Sequence, residues 1–163
     1  MVLKYLNEDE ILKVAINVEK EGIEFYKKSA SFSKVEKAKN VFQYLVEEEE
    51  KHLEYFTKLD KQIEFIKFIP EDIDEEVSMY LRSLIDTGIF SKKFSDNDWA
   101  GFTDKKALEF GINVEKNSIL FYSEVLKITE NESAVKSLKK IIEEERRHLI
   151  ALTTHWKELD NNI

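Results

Sequence analysis

Two Glu-x-x-His segments, Glu49-x-x-His52 and Glu145-x-x-His148, stand 96 residues apart. Two further glutamates, Glu19 and Glu115, share that interval, each inside a copy of the pentapeptide Ile-Asn-Val-Glu-Lys at 16–20 and 112–116. The same offset carries Ile23-x-Phe25-Tyr26 onto Ile119-x-Phe121-Tyr122. Residues at i and i+3 lie ~5–6 Å apart on one helix face, so one Glu-x-x-His can bind a metal through its imidazole and lend its carboxylate as a bridge. Mixed carboxylate and imidazole donors suit Fe, Mn or Zn better than Ca or Mg. Either motif alone is weak. Glu47–Glu50 precede His52 and Glu143–Glu145 precede His148, and a solvated acidic face would give the same spelling.

The phase of these residues strengthens the reading. Glu19, Glu49, Glu115 and Glu145 fall among Ile, Leu, Phe and Tyr at helical spacing. An unpaired buried charge costs several kcal/mol, and four would exceed the ~5–15 kcal/mol that holds a domain folded. The Lys and Arg residues fall mostly on the outer faces. Two divalent cations would balance the four carboxylates, and His52 and His148 would complete the coordination as neutral ligands.

Four segments must position this set. The first helix is expected from Asn7, with Asn7 as N-cap and Glu10 at its third position, and with Leu12, Ala15, Ile16, Glu19, Ile23, Tyr26 and Ala30 in its stripe. After Ser31-Phe32-Ser33, a Ser33 cap with Glu36 predicts a second helix to about residue 60, its stripe being Val41, Phe42, Leu45, Glu49, His52, Phe56 and Leu59. A third helix is expected from Thr103 or Asp104, with Leu108, Gly111, Ile112, Glu115, Ile119, Tyr122 and Leu126 aligned. Beyond the polar break at 129–132, the fourth aligns Leu138, Ile141, Ile142, Glu145, His148, Leu152, Trp156 and Leu159. All four patterns repeat at 3.6 residues over ~20 positions. The chain thus reads as one domain over 1–163, with repeats at 8–60 and 103–160 and a crossover at 61–102. In the crossover, Pro70 stops the second helix. Residues 71–86 predict a shorter helix with Ile73, Val77, Tyr80 and Leu84 on one side, ended by Gly88. Residues 89–102 read as a loop that Phe90, Phe94, Trp99 and Phe102 can pin. So long a connection fits a chain that must cross the length of a bundle, ~35–40 Å for 25 residues, making the second and third long helices parallel.

Composition narrows the function classes. Four Gly and one Pro in 163 residues leave few helix breakers. A net charge of −8 argues against nucleic acid and against an anionic membrane surface. The absence of cysteine removes disulfides, thiolate catalysis and cysteine-held clusters. No signal peptide or run of ~20 apolar residues is evident, so a soluble cytoplasmic protein is expected.

One glutamate from each of two helices plus Glu-x-x-His from each of two others resembles the ferritin-like di-iron carboxylate superfamily, and within it the rubrerythrin-like branch. The resemblance spans about residues 8–60 and 103–160. It implies an all-α, ferritin-like four-helix bundle made from a duplicated helix pair, with a long crossover containing a short helix. It implies two iron ions, with Mn or Zn as alternatives, held by Glu19, Glu49, His52, Glu115, Glu145 and His148. Glu49 and Glu145 would bridge, and the histidines would be terminal ligands. Tyr26 and Tyr122 resemble the tyrosines that hydrogen-bond ligand carboxylates in this family, although ordinary aromatic core would also account for them. His155 has Leu59 as its repeat counterpart and reads as structural. Two features depart from rubrerythrin. There is no cysteine-bound rubredoxin iron, so electrons would need an external donor. Ser118 stands where rubrerythrins carry an extra glutamate, and Gly22 is its repeat mate.

The implied function is an oxidoreductase that reduces peroxide or O2 at the dinuclear centre. One alternative is an iron-binding, ferroxidase-type metal handler. A second is a non-catalytic helical interaction bundle. The resemblance favours a homodimer, while the residues themselves leave the oligomeric state open.

Overall fold

A computed structural model describes residues 6–62, 67–88 and 96–161. Six helices occur among them: α1 (Glu8–Phe32), α2 (Glu36–Gln62), α3 (Glu75–Thr87), α4 (Asp96–Ala100), α5 (Asp104–Ile128) and α6 (Glu132–Asp160). No described residue is in a strand, and no described helix is long and apolar enough to cross a membrane.

The helix starts follow local chemistry. Asn7 and Glu10 form the expected capping box on α1, satisfying amides that the helix itself cannot. Thr103 caps α5 through Lys106 N, and Asn131 caps α6 through Ala134 N. Ser33 differs from its expected role. It is the C-cap of α1, its N–H bonding Ser29 O. The amides of Lys34 and Val35 are taken instead by Oδ2 of Asp104, both at 3.0 Å. A tertiary acceptor therefore replaces the local cap at the start of α2.

That contact also fixes direction. The beginnings of α2 and α5 meet at one end of the bundle, so these two helices run parallel, as the crossover length predicts. At the other end, Phe68 O accepts Glu130 N at 2.8 Å, tying the start of the crossover to the α5–α6 turn. Helix α1 packs along α2 and α5 along α6, with α1 against α5 and α2 against α6 across the bundle.

Helix α3 begins later than expected, at Glu75, because Asp74 caps it by accepting Glu76 N and Val77 N. Its buried positions are Ser78 and Leu81, whereas Tyr80 is exposed. Ser78 faces inward because its Oγ accepts Leu6 N at 3.0 Å, which rotates the contact stripe away from Tyr80. Helix α4 lies where a loop was expected. Its Trp99 is buried against Phe25 and Phe102, as a pin should be. Phe90 and Phe94 lie outside the described residues.

The core divides into two apolar clusters. One holds Leu12, Phe56, Leu81, Tyr122, Val125 and Leu138; the other holds Tyr26, Phe42, Leu45, Trp99, Leu108 and Leu152. The six expected ligands occupy the middle of their helices, between these halves. On α5, Val114, Phe121 and Val125 are buried while Ile112, Ile119 and Leu126 are only partly so. Helix α3 packs on α5 and widens its covered face, which periodicity within α5 alone does not reveal.

Candidate metal centre

All four glutamates and both histidines are buried. One donor atom each from Glu19, Glu49, His52 and Glu145 lies within 4.8 Å of the others, and a second such group comprises Glu49, Glu115, Glu145 and His148. Glu49 and Glu145 belong to both groups. Glu19 with His52 completes one, and Glu115 with His148 the other. The arrangement obeys the sequence repeat, with α1 and α2 dominating one position and α5 and α6 its mate.

The i, i+3 spacing does what helix geometry allows. Nδ1 of His52 is 2.9 Å from Glu49, and Nδ1 of His148 is 3.0 Å from Glu145. Each Nδ1 also faces across the bundle: that of His52 is 3.5 Å from Glu145, and that of His148 is 3.3 Å from Glu49. Both imidazoles therefore turn the same nitrogen toward the shared carboxylates.

The tyrosines are crossed between halves. The Tyr26 hydroxyl of α1 donates to Glu115 of α5, and that of Tyr122 on α5 donates to Glu19 of α1. These bonds distinguish the two from plain aromatic core. Ring packing sets their position: Tyr26 stacks on Phe42 and Tyr122 on Phe56. Close approach at Tyr26 depends on Gly111, where a Cβ would lie 3.2 Å from Tyr26 Cε1 and 3.2 Å from Leu152 Cδ1. His155 pairs with Glu158 at 3.3 Å and takes no part in either donor group.

The protonation pattern follows from burial and crowding. Burial pushes the Glu19 carboxyl well above its usual range, reinforced by the carboxylates of Glu49 and Glu145. Burial does the same at Glu115, with Glu145 and Glu49 next in effect. At Glu49 and Glu145 burial also opposes charge, but hydrogen bonds with the two histidines outweigh it and hold both below the usual carboxylate range. Burial disfavours a charged His52, yet its bonds to Glu145 and Glu49 leave it pushed up to about 12. His148 is raised for the same reason, by Glu115, Glu145 and Glu49. Burial, then the adjacent Glu115 and Glu19, pushes the Tyr26 and Tyr122 hydroxyls well up, so both stay protonated donors. Without cations, burial thus favours the protonated, neutral carboxyl at Glu19 and Glu115, and the histidine bonds favour charge on Glu49, Glu145 and both imidazoles. The donor set suits a pair of cations, because releasing those protons frees four carboxylates and two neutral imidazoles.

Reasoning from sequence missed two neighbours of the site. Oε2 of Glu144 lies 3.1 Å from Nε2 of His52, on the side away from the cluster. Its place in an acidic run, one residue before Glu145, hid it. A lateral cavity of about 220 Å³ lies between α1, α5 and α3, and its lining includes Val18, next to Glu19, and Ser118, one turn beyond Glu115. The small residue at 118 is the available signal.

Residues 10–155 match the family model described as Rubrerythrin. The fold is similar to the crystal structure of a Thermotoga maritima protein assigned as a candidate ferritin-like diiron-carboxylate protein. The TM-score is 0.66 and the identity 28%, over 94% of this chain and 97% of that one. No curated protein matches the chain at a significant level. With a family model covering most of its length, and a buried carboxylate–histidine cluster inside an all-helical, ferritin-like bundle, the chain belongs to the rubrerythrin family.

Proposed function

We propose that this protein is a di-iron oxidoreductase that reduces peroxide or O2 with electrons from an external donor. The observation that carries the reading is the sharing of Glu49 and Glu145 between two donor groups, each completed by one further glutamate and one histidine. Glu49 and Glu145, common to both groups, would hold a pair of ions close enough to act on one small molecule. When bound, a pair of ferrous ions supplies the two electrons that reduction of peroxide requires. The chain supplies the surroundings. Glu19 and Glu115 are held in orientation by Tyr122 and Tyr26. The apolar halves on both sides exclude bulk water and strengthen the electrostatics of the site.

The test is anaerobic loading with Fe(II), followed by H2O2 or O2 in the presence and absence of a reductant. The reading expects about two irons per chain and repeated turnover when reductant is supplied. A second reading, iron handling with ferroxidase-type oxidation, draws support from Ser118 and Gly22, which leave the site without an additional carboxylate. It expects a single oxidation that reductant does not restart. Failure to bind iron, manganese or zinc would remove both.

A further inference from the structure

The sequence repeat relates His52 to His148 and Glu48 to Glu144, and each of these glutamates directly precedes a shared carboxylate. Both imidazoles present Nδ1 to the cluster. Their far sides differ. Nε2 of His52 meets Oε2 of Glu144 at 3.1 Å. Nε2 of His148 is buried and, among the described residues, has no hydrogen-bond partner. Glu48, which the repeat would bring to it, is bonded to Lys51 instead. The Tyr44 ring stands edge-on to the His148 imidazole, 5.9 Å between centroids.

We propose that the two metal positions are unequal, and that Glu144 is the positioning residue that makes the His52 position the tighter. The inference rests on the dinuclear reading above. An imidazole that gives Nδ1 to a metal keeps its proton on Nε2. At His52 that N–H donates to a carboxylate, which fixes the tautomer and ring plane and makes Nδ1 a stronger ligand. At His148 the same N–H is enclosed without an acceptor, which works against binding there. The contacts of the four carboxylates are matched: Glu49 and Glu145 serve both positions, and Glu19 and Glu115 each accept a tyrosine hydroxyl. The other oxygen of Glu144 faces Lys140 at 3.7 Å and Arg147 at 3.8 Å, which steadies the carboxylate against the His52 ring. The ions therefore load in order, the His52 position first.

An anaerobic titration of the whole protein with Co(II), followed by visible absorption and calorimetry, tests this. The wild-type protein should show two resolved steps of one ion each. Glu144→Ala should weaken the first step about 10–100-fold, enough to merge it with the second. Glu144→Gln, which keeps an acceptor oxygen, should recover part of that loss. Glu48→Ala and Glu48→Gln remove the same charge at the repeat-related position and should leave both steps in place. If Glu144→Ala does not fold, the two Gln variants carry the comparison. Equal losses from Glu144 and Glu48 substitutions, or a single wild-type step taking up both ions, would overturn the proposal. Wild-type protein that takes up no cobalt would overturn the dinuclear reading itself, and the ordered loading with it.

Discussion

The hydroxyl of Tyr26 on α1 donates to the carboxylate of Glu115 on α5, and the repeat returns the same bond from Tyr122 to Glu19. Each half of the chain thereby orients a carboxylate belonging to the other. Tyr26→Phe and Tyr122→Phe should each weaken metal binding by about 10-fold, because the carboxylate loses the partner that fixes its rotamer. The two losses should be similar in size, since the bonds are related by the repeat. Metal titration of the single variants checks this, and loss from only one of them would show that the crossed pair is not functionally symmetric.

Metal binding should displace protons. The shifts at Glu19, Glu115 and both histidines all favour the protonated form, so uptake of divalent ions at neutral pH should release protons. The proton-rich state is the metal-free one, so affinity must rise with pH and fall toward acid. Stability of the metal-free protein has the opposite slope. The contribution of His52, raised from 6.5 to about 12, is fully present below pH 6.5 and is lost as pH climbs through about 12. Calorimetry in buffers of different ionisation enthalpy counts the protons. Uptake that releases none, with affinity flat from pH 6 to 8, would contradict the assigned protonation.

Two glycines should respond in opposite ways to alanine. At Gly111 the new methyl meets Tyr26 and Leu152 at 3.2 Å, so Gly111→Ala should cost about 1 kcal/mol net after its gain in helix propensity. It should also disturb the bond from Tyr26 to Glu115. At Gly22 an added Cβ meets nothing within 4 Å, and Gly22→Ala should gain about 0.5–1 kcal/mol. Thermal denaturation of the metal-free variants separates the two, and equal shifts of one sign would refute the packing argument.

Much of this architecture is legible before any coordinates. The four long helices, their repeat and the six central Glu and His residues follow from apolar residues at 3.6 spacing, with Glu and His set among them. The crossover is less legible because its contacts are tertiary. Ser78 faces inward only because Leu6 N needs an acceptor, and Asp104 reaches Lys34 and Val35 from 69 or more positions along the chain. Glu144 was hidden for another reason. A residue outside the apolar stripe reads as solvated, and only the neighbouring helix supplies the His52 imidazole it meets. The pairing of Tyr26 with Glu115 rather than Glu19 likewise depends on which helices face each other.

The clusters around Leu12 and Leu108 close the bundle like stoppers in both mouths of a tube. The flank differs, for there Val18 and Ser118 line a small recess. Open space beside the central residues thus belongs to the flank of α1 and α5 and not to either filled end.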